Sequence, residues 1–296
     1  MRLVFRIPTA LPCGRSYRFA LVSSPPFLPV NFRLIRLLAP ILFSLFAVAA
    51  GAQTASLPAK EKFHLFLLIG QSNMAGRGIV TPQDQTAPAR VVMLNKSGEW
   101  VPATDPMHFD KTAAGVGLGR TFGIEIAAAT PGVTIGLIPC AVGGSPIDTW
   151  KPGVFYDATK SHPWDDAMRR AHLALQAGTL KGILWHQGES DSKADLAPTY
   201  EGKLHDLIAR LRTEFQLPKV PFIAGQMGNF PAAPWDEFRT QVDRVHRELP
   251  AKVKGTAFVS SEGLNHKGDN LHFDADSYRI FGKRYAEAYL KLVRGK

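Results

Sequence analysis

Cysteine is scarce in this chain, with 2 residues among 296. Cys13 lies in an N-terminal segment that is typical of a leader, which leaves Cys140 without a partner for an internal disulfide. No C-x-x-C pair and no Cys/His cluster with zinc-ligand spacing is present. The sequence therefore excludes a disulfide-rich scaffold, gives no reason to expect a metal site, and predicts Cys140 to be a small buried hydrophobic residue.

A clustered basic face is also lacking. The formal charge is +10, but residues 1–52 contain six arginines and no acidic residue, so the remaining chain carries +4 spread along its length. Nucleic-acid binding requires basic residues gathered on one face. The charge pattern therefore predicts no nucleic-acid partner.

The most apolar run, LLAPILFSLFAVAA at 37–50, is shorter than the roughly 20 residues that span a bilayer. Two arginines precede it, and Ala50-Gly51-Ala52 follows as a small-x-small cleavage site. This pattern predicts a signal-peptide leader over 1–52, cleavage before Gln53, and a secreted or periplasmic protein without membrane contact after cleavage. The alternatives are a retained membrane anchor and a translation start near Val30.

Apolar runs of β character alternate with amphipathic stretches along the rest of the chain. The predicted strands cover 63–69, 133–139, 182–185, 220–224 and 255–259, and the predicted helices cover about 121–129, 164–177, 198–215, 235–248 and 277–293. Such alternation predicts an α/β fold, a three-layer sandwich with a central parallel sheet and helices on both faces. Residues 53–296 suit a single domain, with the proline-rich stretch 81–119 as a long excursion containing a short hairpin.

The most informative segment reads FHLFLLIGQSNMAGRG over 63–78. An apolar strand breaks at Gly70, and Ser72 follows at once in a turn of small residues. Open α/β sheets bind ligands at the carboxyl ends of their strands, and the backbone N–H groups of such a turn can face an oxyanion. The segment predicts a nucleophilic serine, while a serine that only caps a helix is the alternative.

Three later segments change the balance between these alternatives. They read PCAVGGSPIDTW at 139–150, GILWHQGESD at 182–191 and GDNLH at 268–272. Together with GQSNMAG, this set closely resembles the SGNH-type esterases, specifically the sialate O-acetylesterase-like group that includes acetylxylan esterases of carbohydrate esterase family six. The resemblance covers nearly the whole chain after the leader and implies a flavodoxin-like SGNH hydrolase fold.

A serine nucleophile needs a base within hydrogen-bond reach and a third group that orients this base. His272 is the best candidate base, because it precedes a predicted helix in a loop that can reach the sheet edge. The D-x-x-H pair of SGNH-like enzymes implies Asp269 as the orienting acid. Glu189 in the HQGES segment competes for this third role, and its alternative role is that of a structural carboxylate near Arg77.

An oxyanion hole needs two or three donors that are already aimed at the tetrahedral oxygen. The N–H of Ser72 is one such donor. The resemblance implies a glycine N–H at Gly143 or Gly144, although these residues are also typical of a bare turn. It further implies a side-chain amide at Gln187, where the wider SGNH set has asparagine.

Three residues are candidates for substrate contact. Asn73 follows the nucleophile and carries an amide, although holding the turn is its alternative role. Trp150 lies in the polar SPIDTW loop, where an aromatic face can pack on a sugar as readily as in a core. His186 precedes the HQGES residues and is expected to line the pocket.

These residues and the resemblance together predict a carbohydrate O-acetylesterase that acts through a serine acyl-enzyme and needs no cofactor. Acetylxylan and O-acetyl sialic acid are both compatible with the resemblance, and the sequence does not choose between them. The alternatives are a general short-chain carboxylesterase and a non-catalytic carbohydrate-binding relic of the fold.

Overall fold

The structure is a computed structural model that describes residues 57–295, so the predicted leader over 1–52 lies outside the described residues. The strands are β1 Phe63–Gly70, β2 Val91–Leu94, β3 Trp100–Pro102, β4 Thr134–Pro139, β5 Thr179–His186, β6 Phe222–Gly225 and β7 Thr256–Val259. The α-helices are α1 Ser72–Ala75, α2 Leu118–Ala129, α3 Pro163–Ala177, α4 Tyr200–Glu214, α5 Glu237–Lys252 and α6 Ala275–Arg294.

The strands form one sheet in the order β3-β2-β4-β1-β5-β6-β7. All neighbouring strands run parallel except β2 and β3, which form an antiparallel hairpin at one edge. The five strands β4-β1-β5-β6-β7 follow the 2-1-3-4-5 order of flavodoxin-like sheets. In such sheets the ligand crevice opens beside the first strand, where successive crossovers leave in opposite directions.

The central strand β1 is buried on both faces, as its nearly unbroken apolar sequence requires. On one face, Leu65 and Leu67 pack in a core cluster that includes side chains of α3, α4 and α5. On the other face, Phe66 and Leu68 pack in a cluster that includes side chains of α2 and α6. The two clusters make a three-layer sandwich around the sheet.

The α/β architecture with a parallel central sheet and helices on both faces is confirmed. Each of the five predicted strands and five predicted helices is present within a few residues of its expected bounds. The stretch 81–119 contains the expected hairpin, β2–β3, and β2 also extends the parallel sheet beside β4, which the sequence did not indicate. Within the described residues, no helix has the length and apolar character needed to cross a membrane.

Candidate active site

The end of β1 is shaped by a glycine. Gly70 has a φ of +129°, and a Cβ at this position would lie 2.1 Å from the carbonyl oxygen of His186 on the neighbouring strand. The next residue, Gln71, donates its backbone N–H to that same carbonyl at 2.9 Å. The chain then turns at once into α1, whose first residue is Ser72. Close contact between β1 and β5 therefore places Ser72 at the carboxyl edge of the sheet.

Ser72 lies within hydrogen-bond distance of a histidine from the other end of the chain. The Ser72 Oγ is 3.0 Å from Nε2 of His272. The opposite ring nitrogen, Nδ1, is 2.7 Å from Oδ2 of Asp269. The three side chains that the sequence predicted as nucleophile, base and orienting acid thus form one continuous hydrogen-bonded series.

The loop that carries His272 also holds Asp269 in its ionised form. Its Oδ1 accepts the backbone N–H groups of Leu271 at 3.0 Å and His272 at 2.8 Å. Partial burial opposes ionisation, but these two N–H groups and the imidazole together lower the pKa of Asp269 to about 2. A carboxylate on Nδ1 keeps the proton on that nitrogen, so Nε2 presents its lone pair to Ser72.

Glu189, the competing acid, makes no hydrogen bond to His272. Its Oε1 accepts from Nδ2 of Asn73 at 2.7 Å, and its Oε2 is buried with no partner among the described residues. Asn73 also donates to the carbonyl of Leu271 at 3.1 Å and accepts the hydroxyl of Tyr278 at 2.6 Å. This amide therefore connects the serine turn, the β5 loop and the histidine loop.

The expected substrate role of Asn73 is wrong in this structure. The residue has no exposed surface, and both ends of its amide are engaged by protein groups. Its alternative role, that of holding the turn, accounts for these contacts. A buried and fully paired amide is a rigid connector because each lost bond would leave a polar atom unsatisfied.

The two glycines of the second motif differ in what their N–H groups contact. The N–H of Gly143 donates to Oδ2 of Asp110 at 2.8 Å, so its expected role as an oxyanion donor is wrong in this structure. The same carboxylate oxygen is 2.7 Å from Nη2 of the buried Arg77. The N–H groups of Gly144 and Ser72 have no hydrogen-bond partner within residues 57–295. These two backbone groups remain as the candidate donors.

Two hydrogen bonds to its carbonyl restrain the peptide that follows Gly144. The hydroxyls of Tyr156 and Ser190 each donate to this oxygen at 2.8 Å. The preceding part of the same loop is tied to β1, because the N–H of Val142 donates to the carbonyl of Gly70 at 2.9 Å. The second motif is thus fixed beside the serine turn before any substrate binds.

Gln187, the expected third donor, is fully buried and occupied, so that expectation is wrong. Its Nε2 donates to Oδ2 of Asp191 at 2.5 Å and to the carbonyl of Ser145 at 3.3 Å. Its Oε1 lies 2.9 Å from the hydroxyl of Tyr200. The amide therefore belongs to a hydrogen-bond network behind the site.

A different glutamine lies beside the nucleophile. Gln71 is 3 % exposed and lines the same cavity as Ser72. Its Oε1 accepts the N–H of Ser190 at 3.3 Å, and its Nε2 has no partner among the described residues. Sequence reasoning missed this amide, although its place directly before the serine was a usable signal. It also missed Asp110, which lies in the proline-rich excursion and has no recognisable pattern around it.

The other two expected substrate contacts are also wrong. Trp150 has no exposed surface; its indole N–H donates to Oγ of Ser145 at 3.1 Å, and its ring packs edge-to-face on Trp185 at 5.6 Å. His186 is equally buried, with Nε2 2.9 Å from the carbonyl of Gln226, and burial lowers the pKa of its imidazole. Both rings belong to the core beneath the site.

The match to known proteins agrees with this geometry. The family model described as "Carbohydrate esterase, sialic acid-specific acetylesterase" matches residues 62–291. The chain belongs to this family. A probable carbohydrate esterase of Arabidopsis thaliana is 30% identical over 249 residues, which make up 76% of this chain and 90% of that protein.

Solved structures of other proteins share the fold of this chain. The X-ray structure of an Arabidopsis thaliana protein has a TM-score of 0.68 at 28% identity, covering 79% of this chain and 99% of that one. NanS has a TM-score of 0.64 at 18% identity, covering 81% and 100%. A carbohydrate acetylesterase from Xanthomonas citri has a TM-score of 0.62 at 24% identity, covering 78% and 57%.

The cavity of this family member lies at the carboxyl ends of β1, β4 and β5. Its volume is about 540 Å³, and its wall includes Gln71, Ser72, Gly144, Glu189 and His272. Within residues 57–295 no group of three His, Cys, Asp or Glu side chains is placed to hold a metal ion. The groups that line the cavity are thus a serine and histidine pair, backbone and amide donors, one carboxylate, and the basic residues Arg77, Lys111, Lys193 and Arg239.

Proposed function

We propose that this protein is a serine esterase that removes acetyl groups from carbohydrates. The observation that carries the proposal is the hydrogen-bonded series Ser72–His272–Asp269, whose distances of 3.0 Å and 2.7 Å suit proton transfer. The family supplies the substrate class. Acetylxylan and O-acetyl sialic acid both remain candidates within that class.

The first half of the reaction forms an acetyl-enzyme. Oγ of Ser72 attacks the acetyl carbonyl carbon while its proton passes to Nε2 of His272. The carbonyl oxygen becomes an oxyanion that accepts hydrogen bonds from the N–H groups of Ser72 and Gly144 and from Nε2 of Gln71. Collapse of this intermediate breaks the bond to the sugar oxygen, which leaves as an alcohol with the proton from His272.

The second half returns the enzyme to its starting state. Water gives a proton to His272 and attacks the acetyl carbon. The bond to Ser72 Oγ then breaks while His272 passes that proton to Oγ, and the acetic acid that is released ionises to acetate in solvent. Asp269 remains ionised throughout, because it holds the tautomer and stabilises the imidazolium that forms twice per turnover. No atom or charge outside these residues, the ester and water is needed.

Export belongs to the proposal as well. The apolar run and the small-x-small site before Gln53 support a secreted or periplasmic enzyme that meets an external acetylated sugar. The mature N-terminus, measured by intact mass on exported protein, should begin near Gln53. A retained leader embedded in the membrane would contradict this part.

Hydrolysis of a panel of esters tests the substrate class. Each methylene that a pocket does not accommodate costs about 1–3 kcal/mol, so kcat/KM should fall from acetyl through butyryl to octanoyl esters of one sugar. Equal or faster hydrolysis of octanoyl esters would favour the general carboxylesterase instead. If the folded protein hydrolysed none of the esters, the remaining alternative would be a non-catalytic carbohydrate-binding relic of the fold.

A further inference from the structure

Two glycines form the centre of a tight turn at the cavity. The N–H of Ser145 donates to the carbonyl of Val142 at 3.2 Å, which closes a four-residue turn over 142–145, the donor turn. Gly144, the third residue of this turn, has a φ of +83°. A positive φ at the third position is typical of a type II turn, and glycine adopts it without strain.

The direction of the candidate oxyanion donor depends on the type of this turn. Types I and II differ by about 150° in ψ at the second residue and by about 170° in φ at the third, so the peptide between these residues is turned over. In the donor turn this central peptide joins Gly143 to Gly144 and carries the N–H of Gly144. A change of turn type would therefore reverse the direction of that N–H.

Hydrogen bonds on both sides restrain the central peptide. After it, the carbonyl of Gly144 accepts the hydroxyls of Tyr156 and Ser190 at 2.8 Å. Before it, the N–H of Gly143 donates to Oδ2 of Asp110 at 2.8 Å. Asp110 therefore supplies one of the two restraints on the turn.

Asp110 also connects the donor turn with the serine turn. Its Oδ2 is 2.7 Å from Nη2 of Arg77, and Nη1 of Arg77 donates to the carbonyl of Gly76 at 2.7 Å. The N–H of Gly76 donates in turn to the backbone carbonyl of Ser72 at 2.9 Å. One series of hydrogen bonds thus runs from the backbone of the nucleophile to the donor turn.

The ion pair between Arg77 and Asp110 is buried and packs directly on the donor turn. The two side chains are 4 % and 1 % exposed. A Cβ built on Gly143 would lie 2.5 Å from Nη2 of Arg77 and 2.6 Å from Oδ2 of Asp110, so a side chain there would displace the pair. Attraction within a buried ion pair is largely offset by the cost of removing both charges from water, so such a pair is weak evidence for a stabilising role.

We propose that Arg77 and Asp110 are positioning residues, which hold the donor turn in the conformation whose Gly144 N–H stabilises the oxyanion. The inference rests on the proposed esterase function and adds to it two residues that make no hydrogen bond to the side chains of Ser72 and His272. Through Asp110, the proline-rich excursion contributes to the reaction although none of its residues reacts.

Replacement of Asp110 tests the inference. Asp110→Ala should lower kcat for an acetyl ester about 10²-fold and leave KM within about twofold, because loss of one oxyanion donor typically costs about 10²- to 10³-fold in kcat. Trifluoroacetone gives a second readout. Addition of Ser72 Oγ to its carbonyl carbon, with the proton passing to His272, also leaves an oxyanion, so its inhibition constant should rise about as much as kcat falls.

Two further variants separate positioning from folding. Asp110→Asn keeps an oxygen that can accept the N–H of Gly143 and should recover about tenfold of the lost kcat, since one hydrogen bond is retained. If Asp110→Ala does not fold, because Arg77 is left buried without its partner, the double variant Arg77→Met, Asp110→Leu removes both charges. It should fold and show the same loss of kcat.

A second ion pair provides the matched control. Asp84 lies in the same excursion, its side chain is 1 % exposed, and both of its carboxylate oxygens contact Arg279 on α6. Among the described residues it has no hydrogen bond to the donor turn. Asp84→Ala should lower the thermal midpoint as Asp110→Ala does, but leave kcat and the inhibition constant within about twofold, because sites without shared partners act independently.

Gly144→Ala acts on the central peptide directly. A positive φ is strained for alanine, so this variant favours the other turn type and should also lower kcat. If the ion pair acts through the same peptide, the two losses should not multiply. The double variant Asp110→Ala, Gly144→Ala should then lie within about threefold of the worse single variant.

Failure of this inference differs from failure of the proposed function. Unchanged kcat in Asp110→Ala, a fall in kcat without a rise in the inhibition constant, or an equal fall in Asp84→Ala would each overturn the positioning role and leave the esterase standing. Losses that multiply in Asp110→Ala, Gly144→Ala would also overturn it. Absence of ester hydrolysis by the wild-type protein would instead remove the proposed function.

Discussion

Two sets of polar side chains lie near the carboxyl ends of β1 and β5, and they differ in depth. In the catalytic set, Ser72 and His272 line the cavity, and Asp269, which contacts His272, has 36 % of its side chain exposed. The buried set is His186, Gln187, Asp191, Tyr200 and His246, and each of its members has no exposed surface. Ser72 of the first set and Gln187 of the second each lie within two residues of the end of an apolar strand, so polarity after a strand does not by itself mark a reactive group.

Hydrogen bonds join four members of the buried set, while His186 contacts the carbonyl of Gln226 instead. Gln187 bonds to Asp191 and Tyr200, and the Tyr200 hydroxyl is 2.9 Å from Nε2 of His246. Burial lowers the pKa of His246 to about 3, so its imidazole is neutral and only weakly basic at neutral pH, and burial raises the pKa of Asp191. These hydrogen bonds connect the loop after β5 with the helices that carry Tyr200 and His246.

Replacement of Ser72, the proposed nucleophile in the catalytic set, should give the largest loss of activity. Ser72→Ala should lower esterase turnover by about a million-fold, the loss that is typical of a triad serine. The thermal midpoint should change little, because the Oγ hydrogen bond lies at the cavity surface. Steady-state hydrolysis of an acetyl ester and a melting curve measure both quantities. Retention of more than a few per cent of activity would place the nucleophile elsewhere.

The two candidate acids give the next largest difference. Asp269→Asn should lower kcat about 10⁴-fold at neutral pH, by analogy with a triad acid in a serine protease, because the imidazole tautomer is no longer fixed. Glu189→Gln should cost less, since Glu189 contacts Asn73 and makes no hydrogen bond to His272. Measuring kcat for both variants decides the assignment. The opposite ranking would make Glu189 the acid that supports catalysis.

Gln71 lies beside the catalytic set and Gln187 belongs to the buried set, so alanine substitutions at these two positions compare the sets directly. Gln71→Ala removes the proposed side-chain donor and should lower kcat about 10²- to 10³-fold, with a small loss of stability. Gln187→Ala removes one hydrogen bond from Asp191 and one from Tyr200 inside the buried set, and should lower the free energy of unfolding by about 1–3 kcal/mol. Its kcat should fall less than that of Gln71→Ala. A large loss of kcat in Gln187→Ala at unchanged stability would restore it as an oxyanion donor.

The difference between the sets also explains what the sequence could predict. Strand and helix order followed from periodicity, and the serine, histidine and aspartate followed from local motifs whose spacing carries their chemistry. Whether a side chain is buried or faces the cavity cannot be predicted from such motifs. Trp150 and His186 have polar neighbours in the sequence but pack under the sheet edge, and Asp110 reaches Gly143 only through tertiary folding. The choice among donors is therefore a property of the assembled loops.

The smallest expected effect concerns the pH dependence of stability. The folded pKa of Asp269, about 2, lies below the roughly 3.9 of an unfolded aspartate. Its ionised form therefore stabilises the fold above about pH 4, and this contribution is lost as the pH falls toward 2. Since the side chain is about one-third exposed, solvent screening limits the contribution to about 0.2–1 kcal/mol. Melting curves of wild type and Asp269→Asn should differ by a few degrees at most near pH 6 and converge near pH 2.5. A difference that grows on acidification would show that the loop is held by other groups, and that Asp269 contributes to the chemistry alone.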